Sequence, residues 1–271
     1  MDLAQCSLNS VTVKGAGFTE VTGLAEEWGF GGVGLWRDLL DGVDLADASA
    51  RLRRSGLRVT SVCRGGMFPQ PTARLRREAL ADNRVAVDQA HALGADCLVL
   101  VCGAAPGDLP GARRQVHDGI TELEPYARAA GVRLAVEPMH PMMASSRSVI
   151  TSLSEANDLV EAIGSDLVGI ALDSYHVWWD AALPQQIARA GDRLFSVQLA
   201  DWVTPIHGEL SSRGMPGEGC IDMTGFVADC RNSGYSGLVE VEVLSDRWWA
   251  ADPKEAVHAA AKGLAAVRNP A

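Results

Sequence analysis

Residues 168–202 read VGIALDSYHVWWDAALPQQIARAGDRLFSVQLADW. An apolar run ends in Asp173, a stretch of helix length follows and stops at Gly191, and a second apolar run, 194–199, carries Gln198. Strand, helix, glycine stop and strand in that order form the unit from which parallel sheets are wound. The unit recurs along the whole chain. Strand-like runs fall near 3–8, 32–35, 57–63, 96–102, 132–137, 168–173, 194–199 and 238–243, each followed by a helical candidate. Apolar residues repeat at three and four over 74–93, 112–130 and 155–163, which is helix periodicity. Gly29, Gly56, Gly94, Gly131, Gly164, Gly191 and Gly234 each stand where a helix must stop before the next strand.

Eight such units predict an α/β fold, a single (β/α)8 TIM barrel occupying residues 1–271 as one domain. No low-complexity tract or Pro/Ser-rich linker marks a boundary. An open doubly wound sheet would carry a glycine-rich phosphate turn after its first strand, and Lys14-Gly15-Ala16-Gly17 is too weak a match. Three long connections, 64–71, 139–154 and 201–221, follow strands, on the side where barrels build their active sites.

The chain has 271 residues, 47% apolar and 21% charged, with a formal net charge of −10. Such acidity opposes a phosphate-binding track, which needs clustered cations, so no nucleic-acid partner is expected. Lys14, Lys254 and Lys262 are the only lysines; the remaining cations are arginines. Six cysteines, Cys6, Cys63, Cys97, Cys102, Cys220 and Cys230, form no C-x-x-C pair or zinc-ribbon spacing, and those in apolar runs read as small buried hydrophobes. The first residues, MDLAQCSLNS, lack a signal-peptide pattern, and no apolar run approaches a membrane span. A cytoplasmic protein without a membrane partner is expected.

Late strands close on polar residues: Glu137 in RLAVEP, Asp173 in VGIALD, Gln198 in SVQLAD and Glu242 in LVEVEV. A carboxylate at the end of a buried strand is costly unless something neutralises it. Three carboxylates and an amide oxygen converging from successive strands suit one hard or borderline divalent cation. Strand alternation puts Glu240 on the same face as Glu242, so spacing does not choose between them, and Asp201 competes similarly with Gln198. His176 follows Asp173 by three residues, His140 lies just after Glu137, and Trp36 and Arg64 end the second and third strands. Aromatic faces suit sugar C–H surfaces, a role open to Trp178, Trp179 and Trp202.

Six segments carry a resemblance: SVCRGGMF (61–68), AVEPMHPM (135–142), ALDSYHVWWD (171–180), SVQLADW (196–202), RGMPGEGCIDM (213–223) and GYSGLVEVEVLS (234–245). Together they resemble the sugar phosphate isomerase/epimerase family of xylose isomerase-like TIM barrels, related to the endonuclease IV fold. The resemblance implies Glu137, Asp173, Gln198 and Glu242 as metal ligands, choosing Glu242 over Glu240 as the last acid of the GYxGxxxxE pattern. Many epimerases have His on the seventh strand where this chain has Gln198, which leaves the substrate subgroup open.

The resemblance further implies one divalent ion, Mn²⁺ first and Mg²⁺ or Co²⁺ as alternatives. Glu137 and Glu242 would form an acid/base pair that moves a proton beside a carbonyl through a metal-stabilised enediolate, with His176 as a third catalytic group. Arg213 would contact substrate oxygens; by their positions at strand ends and in the following loops, His140, Arg64, Trp36 and Trp178 are expected to complete the substrate site, with the role of His140 open. The implied activity is isomerisation or epimerisation of a carbohydrate-like small molecule. A lyase or dehydratase, of the 3-dehydroshikimate dehydratase or 3-keto-glycoside deglycosidase kind, is the alternative, and a catalytically inactive binding subunit a third reading. Endonuclease activity is opposed by the acidic charge. Barrels of this family often pair, so a homo-oligomer is expected.

Overall fold

The strands are short because each is a rung set in a closed ladder. The computed structural model describes residues 1–105 and 107–268. Its strands are β1 (Cys6–Asn9), β2 (Gly32–Trp36), β3 (Arg58–Gly66), β4 (Leu98–Val101), β5 (Leu134–Val136), β6 (Val168–Asp173), β7 (Leu194–Leu199), β8 (Asp201–Trp202), β9 (Arg213–Gly214) and β10 (Val239–Val241). Eight of them close a barrel in the order β1-β10-β7-β6-β5-β4-β3-β2, while β8 and β9 pair antiparallel outside it. The barrel pairs are all parallel, and the closing pair aligns Cys6 with Val239 and Leu8 with Val241. The predicted fold is thus the observed one.

Differences lie at the ends. The first expected strand begins at residue 3, but Leu3–Gln5 forms a 3₁₀ turn because the Asp2 side chain accepts from Ala4 N and Asp2 O accepts from Gln5 N. The antiparallel pair β8/β9 folds the long connection 201–221 back on itself, a feature absent from the sequence reading. Glu137 and Glu242 lie one residue beyond β5 and β10. Their backbone N–H groups still donate to Leu100 O and Leu199 O at 3.1 Å, so each glutamate stands on the last bonded rung of its strand.

All seven predicted glycine stops take positive φ. At Gly131, φ 69° lets its N–H donate back to Ala127 O and Arg128 O, ending the long helix Leu109–Ala130. A side chain there would be strained, which is why this position favours glycine.

Strand residues divide by alternation between two cores. Leu98, Leu100, Leu134, Val136, Ile170 and Leu172 join the outer core against helix residues such as Val87, Ile120 and Val160. Cys63, Cys97, Val99, Ala135, Ala171 and Phe195 form a separate cluster inside the barrel. Five cysteines are buried and Cys220 is exposed, all as free thiols. Among the described residues no helix is long and apolar enough to cross a membrane.

Candidate metal and active site

Register decides which polar residues share a level. Asp173 pairs with Gln198, and Gln198 pairs with Glu240, so these three lie side by side across β6, β7 and β10. Glu242 lies two residues nearer the C-terminal mouth. The two glutamates of LVEVEV therefore face inward in different layers.

The deeper one, Glu240, is fully buried and surrounded by donors without a cation. Its Oε1 accepts from Asn9 Nδ2 at 2.6 Å and Gln198 Nε2 at 3.0 Å, and its Oε2 from Thr60 Oγ1 at 2.5 Å and Ser61 Oγ at 2.9 Å. A Cβ on Gly34 would fall onto this carboxyl group, so the glycine is the space that Glu240 fills. Asp201 is likewise accounted for: it accepts from the backbone of Trp202, Gly217, Gly219 and Ile221, holding the 201–221 loop.

The upper layer is the electrostatically unsettled one. Glu137, Asp173 and His176 bring ligand atoms within 4.8 Å of one another, all buried, and so form a group able to hold a metal ion. Asp173 Oδ1 accepts from Tyr175 N at 2.9 Å, while Oδ2 accepts from Arg213 Nη1 at 2.6 Å. The same Nη1 lies 3.7 Å from Glu242 Oε2, and Glu242 Oε1 accepts from Asn9 Nδ2 and Trp36 Nε1, each at 3.0 Å. Burial, then Glu242 and Asp173 nearby, push the Glu137 carboxyl well above its ordinary range. Burial raises Glu242 to about 8 against the pull of Arg213, and burial also raises Asp173. His176 is driven well below its usual value by burial and by Arg213, so it is neutral.

Two donors compete for the His176 imidazole. His140 N donates to His176 Nδ1 at 3.2 Å, and Arg213 Nη2 lies 3.1 Å from Nε2. A neutral imidazole has one acceptor nitrogen, so both contacts cannot be hydrogen bonds. Arg213 is the cation among these carboxyls, standing between Asp173 and Glu242. Gln198 Oε1 is buried with no hydrogen-bond partner, while its Nε2 is held by Glu240. A buried carbonyl oxygen without a donor, beside carboxyls that repel one another, is the donor set an oxygen-loving divalent ion requires.

The remaining expected residues divide. Trp36, Arg64, Glu137, Arg213 and Glu242 line one pocket together with Cys63, Met139 and Arg147. His140 stands behind His176, its ring 4.9 Å from that of Trp202. Trp178 packs on Trp202 at 5.4 Å and is outside that lining. Asn9 and Arg147 escaped the sequence reading. Asn9 ends the first strand like the residues that were singled out; Arg147 is the one arginine of the long 139–154 connection.

The raised carboxyls set a pH dependence in metal-free protein. Groups with elevated folded values bind more protons folded than unfolded, so their contribution is full below the unfolded value of about 4.3 and is lost as pH rises. For Glu242 the loss continues to about pH 8. The melting temperature of chelator-treated protein is expected to fall across that window, and Glu242→Gln to flatten the fall. A wild-type melting temperature that stays level there would contradict this.

The protein is thus a closed parallel (β/α)8 barrel with buried acids and a histidine, able to hold a metal ion, at the C-terminal ends of its strands. A xylose isomerase-like TIM barrel family model matches residues 23–268, and the chain belongs to that family. Among curated proteins it is 33% identical over 185 residues to a 3-dehydroshikimate dehydratase of Pseudomonas aeruginosa, covering 65% of this chain and 28% of that protein. It is 27% identical over 152 residues to an inosose isomerase of Halalkalibacterium halodurans, covering 55% of this chain and 52% of the relative. The chain thus spans about a quarter to a half of these relatives' lengths. Among solved structures, protein SMc04130 from Sinorhizobium meliloti 1021 superposes with TM-score 0.95 at 40% identity, over 98% of this chain and 99% of that one.

Proposed function

We propose that this protein is a divalent-metal-dependent enzyme that removes a proton beside the carbonyl of a carbohydrate-like substrate, with isomerisation or epimerisation as the outcome. The observation that carries the reading is the pair Glu137 and Glu242, both buried and lining one pocket with Arg213. A positioned carboxylate within reach of the substrate can act as general base and, once protonated, as general acid.

In this reading Glu137, Asp173, Gln198 and Glu242 hold one ion, Mn²⁺ with Mg²⁺ or Co²⁺ as alternatives. Bound there, the ion would supply Lewis acidity that makes the C–H beside the substrate carbonyl more acidic. One glutamate takes the proton and the other returns one: return to the opposite face of the same carbon inverts it, and return to the former carbonyl carbon, with the hydroxyl proton passing between the two oxygens, moves the carbonyl. Arg213 and neutral His176 donate to substrate oxygens, and Trp36, besides orienting Glu242 through its indole N–H, offers its ring to the sugar face. Family membership over 23–268 supports treating 1–271 as one domain.

A second outcome is elimination. The higher identity to a dehydratase, 33% against 27% for the isomerase, favours keeping it. The same first proton abstraction would then expel a β-oxygen, and the newly protonated glutamate would pass its proton to that oxygen so that it leaves as water or an alcohol. Protein loaded with Mn²⁺ is expected to exchange solvent deuterium into at least one member of a panel of ketoses, keto-inositols and their carboxylated or phosphorylated forms, followed by NMR; ultraviolet absorbance of a conjugated product would assign elimination. No exchange and no such product across a broad panel would defeat the proposal.

A further inference from the structure

Arg64 and Arg147 line the same pocket as Glu137 and Glu242, from the end of β3 and the connection after β5. Both are half-buried. Among the described residues neither guanidinium has a hydrogen-bond or ion-pair partner, which sets them apart. Arg37 beside them is held by Asp82 at 2.9 Å through both Nη atoms and by Gln89, and Arg213 is held by Asp173. Partnerless Arg54, Arg77 and Arg114 are exposed, where water solvates them.

The local charges do not neutralise the pair. Burial lowers Arg147 from its ordinary value, and the charges of Arg64 and Arg213 lower it further, against the opposite pull of Glu209. Glu209 Oε2 accepts from Ser146 Oγ at 2.8 Å and makes no ion pair with Arg147 within 4.0 Å. Asp82, which also feels Arg64, is occupied by Arg37. Glu242 is bound by Asn9 and Trp36. Two half-buried guanidiniums lining one pocket repel each other, and an oxyanion that accepts from both removes the repulsion.

We propose that Arg64 and Arg147 form an oxyanion subsite, so that the substrate carries a carboxylate or phosphate seated on these two guanidiniums while the reacting carbon lies at Glu137 and Glu242. This names the substrate class within the reading above and rests on that reading's choice of pocket. Neutral polyols lack the group that the arginines take.

The test is the melting temperature of the full chain in inorganic phosphate, in acetate and in chloride at equal ionic strength, for wild type, Arg147→Gln and the double variant Arg64→Gln/Arg147→Gln. Phosphate or acetate is expected to raise the wild-type value by at least ~2 °C, and the double variant to lose that rise. Whichever anion acts more strongly tells phosphate from carboxylate. In chloride, Arg147→Gln is expected to melt above wild type because the repulsion is gone. A rise that survives in the double variant, or no rise with either anion, overturns the subsite. Anion binding is read without turnover. Absence of deuterium exchange would therefore remove the proton-transfer reading and leave this result standing, whereas exchange on neutral ketoses without an anion effect would do the reverse.

Discussion

Glu137→Gln is expected to lower the rate of solvent deuterium exchange by about 10³-fold, and Glu242→Gln by a similar factor, the loss typical of removing a positioned general base. The amide keeps shape and burial, and it cannot take a proton. Because both residues also belong to the proposed ligand set, the variants should be compared at matched metal content, measured by elemental analysis. The two differ in neighbours. Glu242 is already anchored by Asn9 and Trp36, each at 3.0 Å. For Glu137 the contact in the cluster is His176 Nε2, 3.7 Å away. Glu242→Gln therefore sets an amide against two donors, and its loss should include weaker metal retention. Exchange within tenfold of wild type in both metal-loaded variants would end the acid/base assignment.

Replacing Glu240 with Met should destabilise the protein by about 4 kcal/mol without touching the upper pocket directly. The side chain keeps its length but strands Gln198 Nε2, leaves Asn9 Nδ2 with Glu242 as its one acceptor, and takes an acceptor from the Thr60 and Ser61 hydroxyls. Each buried donor left without an acceptor costs about 1–3 kcal/mol. The expected fall in melting temperature is roughly 10 °C. Metal-induced stabilisation should shrink as well, since Glu240 is what holds the Gln198 amide with its Oε1 unpartnered. Glu240→Gln, which keeps one acceptor, should cost less on both measures. A melting temperature for Glu240→Met within 2 °C of wild type would show that this polar layer is not a structural support.

The barrel was legible because its signals are local. Strand-length apolar runs and a glycine after each helix act over a few residues, and the helix ends at Gly94, Gly131 and Gly164 fall where the pattern put them. The 3₁₀ turn at Leu3–Gln5 was not, since it depends on the Asp2 cap rather than on apolar content. The pairing of β8 with β9 likewise joins residues about ten apart through a loop with no periodic signal.

At the site, the sequence by itself determined which strands end in polar residues and hence that Glu137, Asp173, Gln198 and Glu242 are the candidates. Side-chain alternation has period two, so it left Glu240 and Glu242 equivalent and Asp201 in competition with Gln198. The family resemblance chose Glu242 and Gln198, and the tertiary structure supplies the physical difference between the competitors. Closing the barrel brings Asn9, Thr60 and Ser61, up to 231 positions away, onto Glu240, and brings the 217–221 backbone onto Asp201. Glu242 remains with Glu137 in the pocket, beside an arginine pair whose second member, Arg147, no local pattern marks. Which carboxyl group is enclosed by fixed donors and which lines the pocket depends on partners from distant strands, and those are set by register and closure rather than by neighbours in the chain.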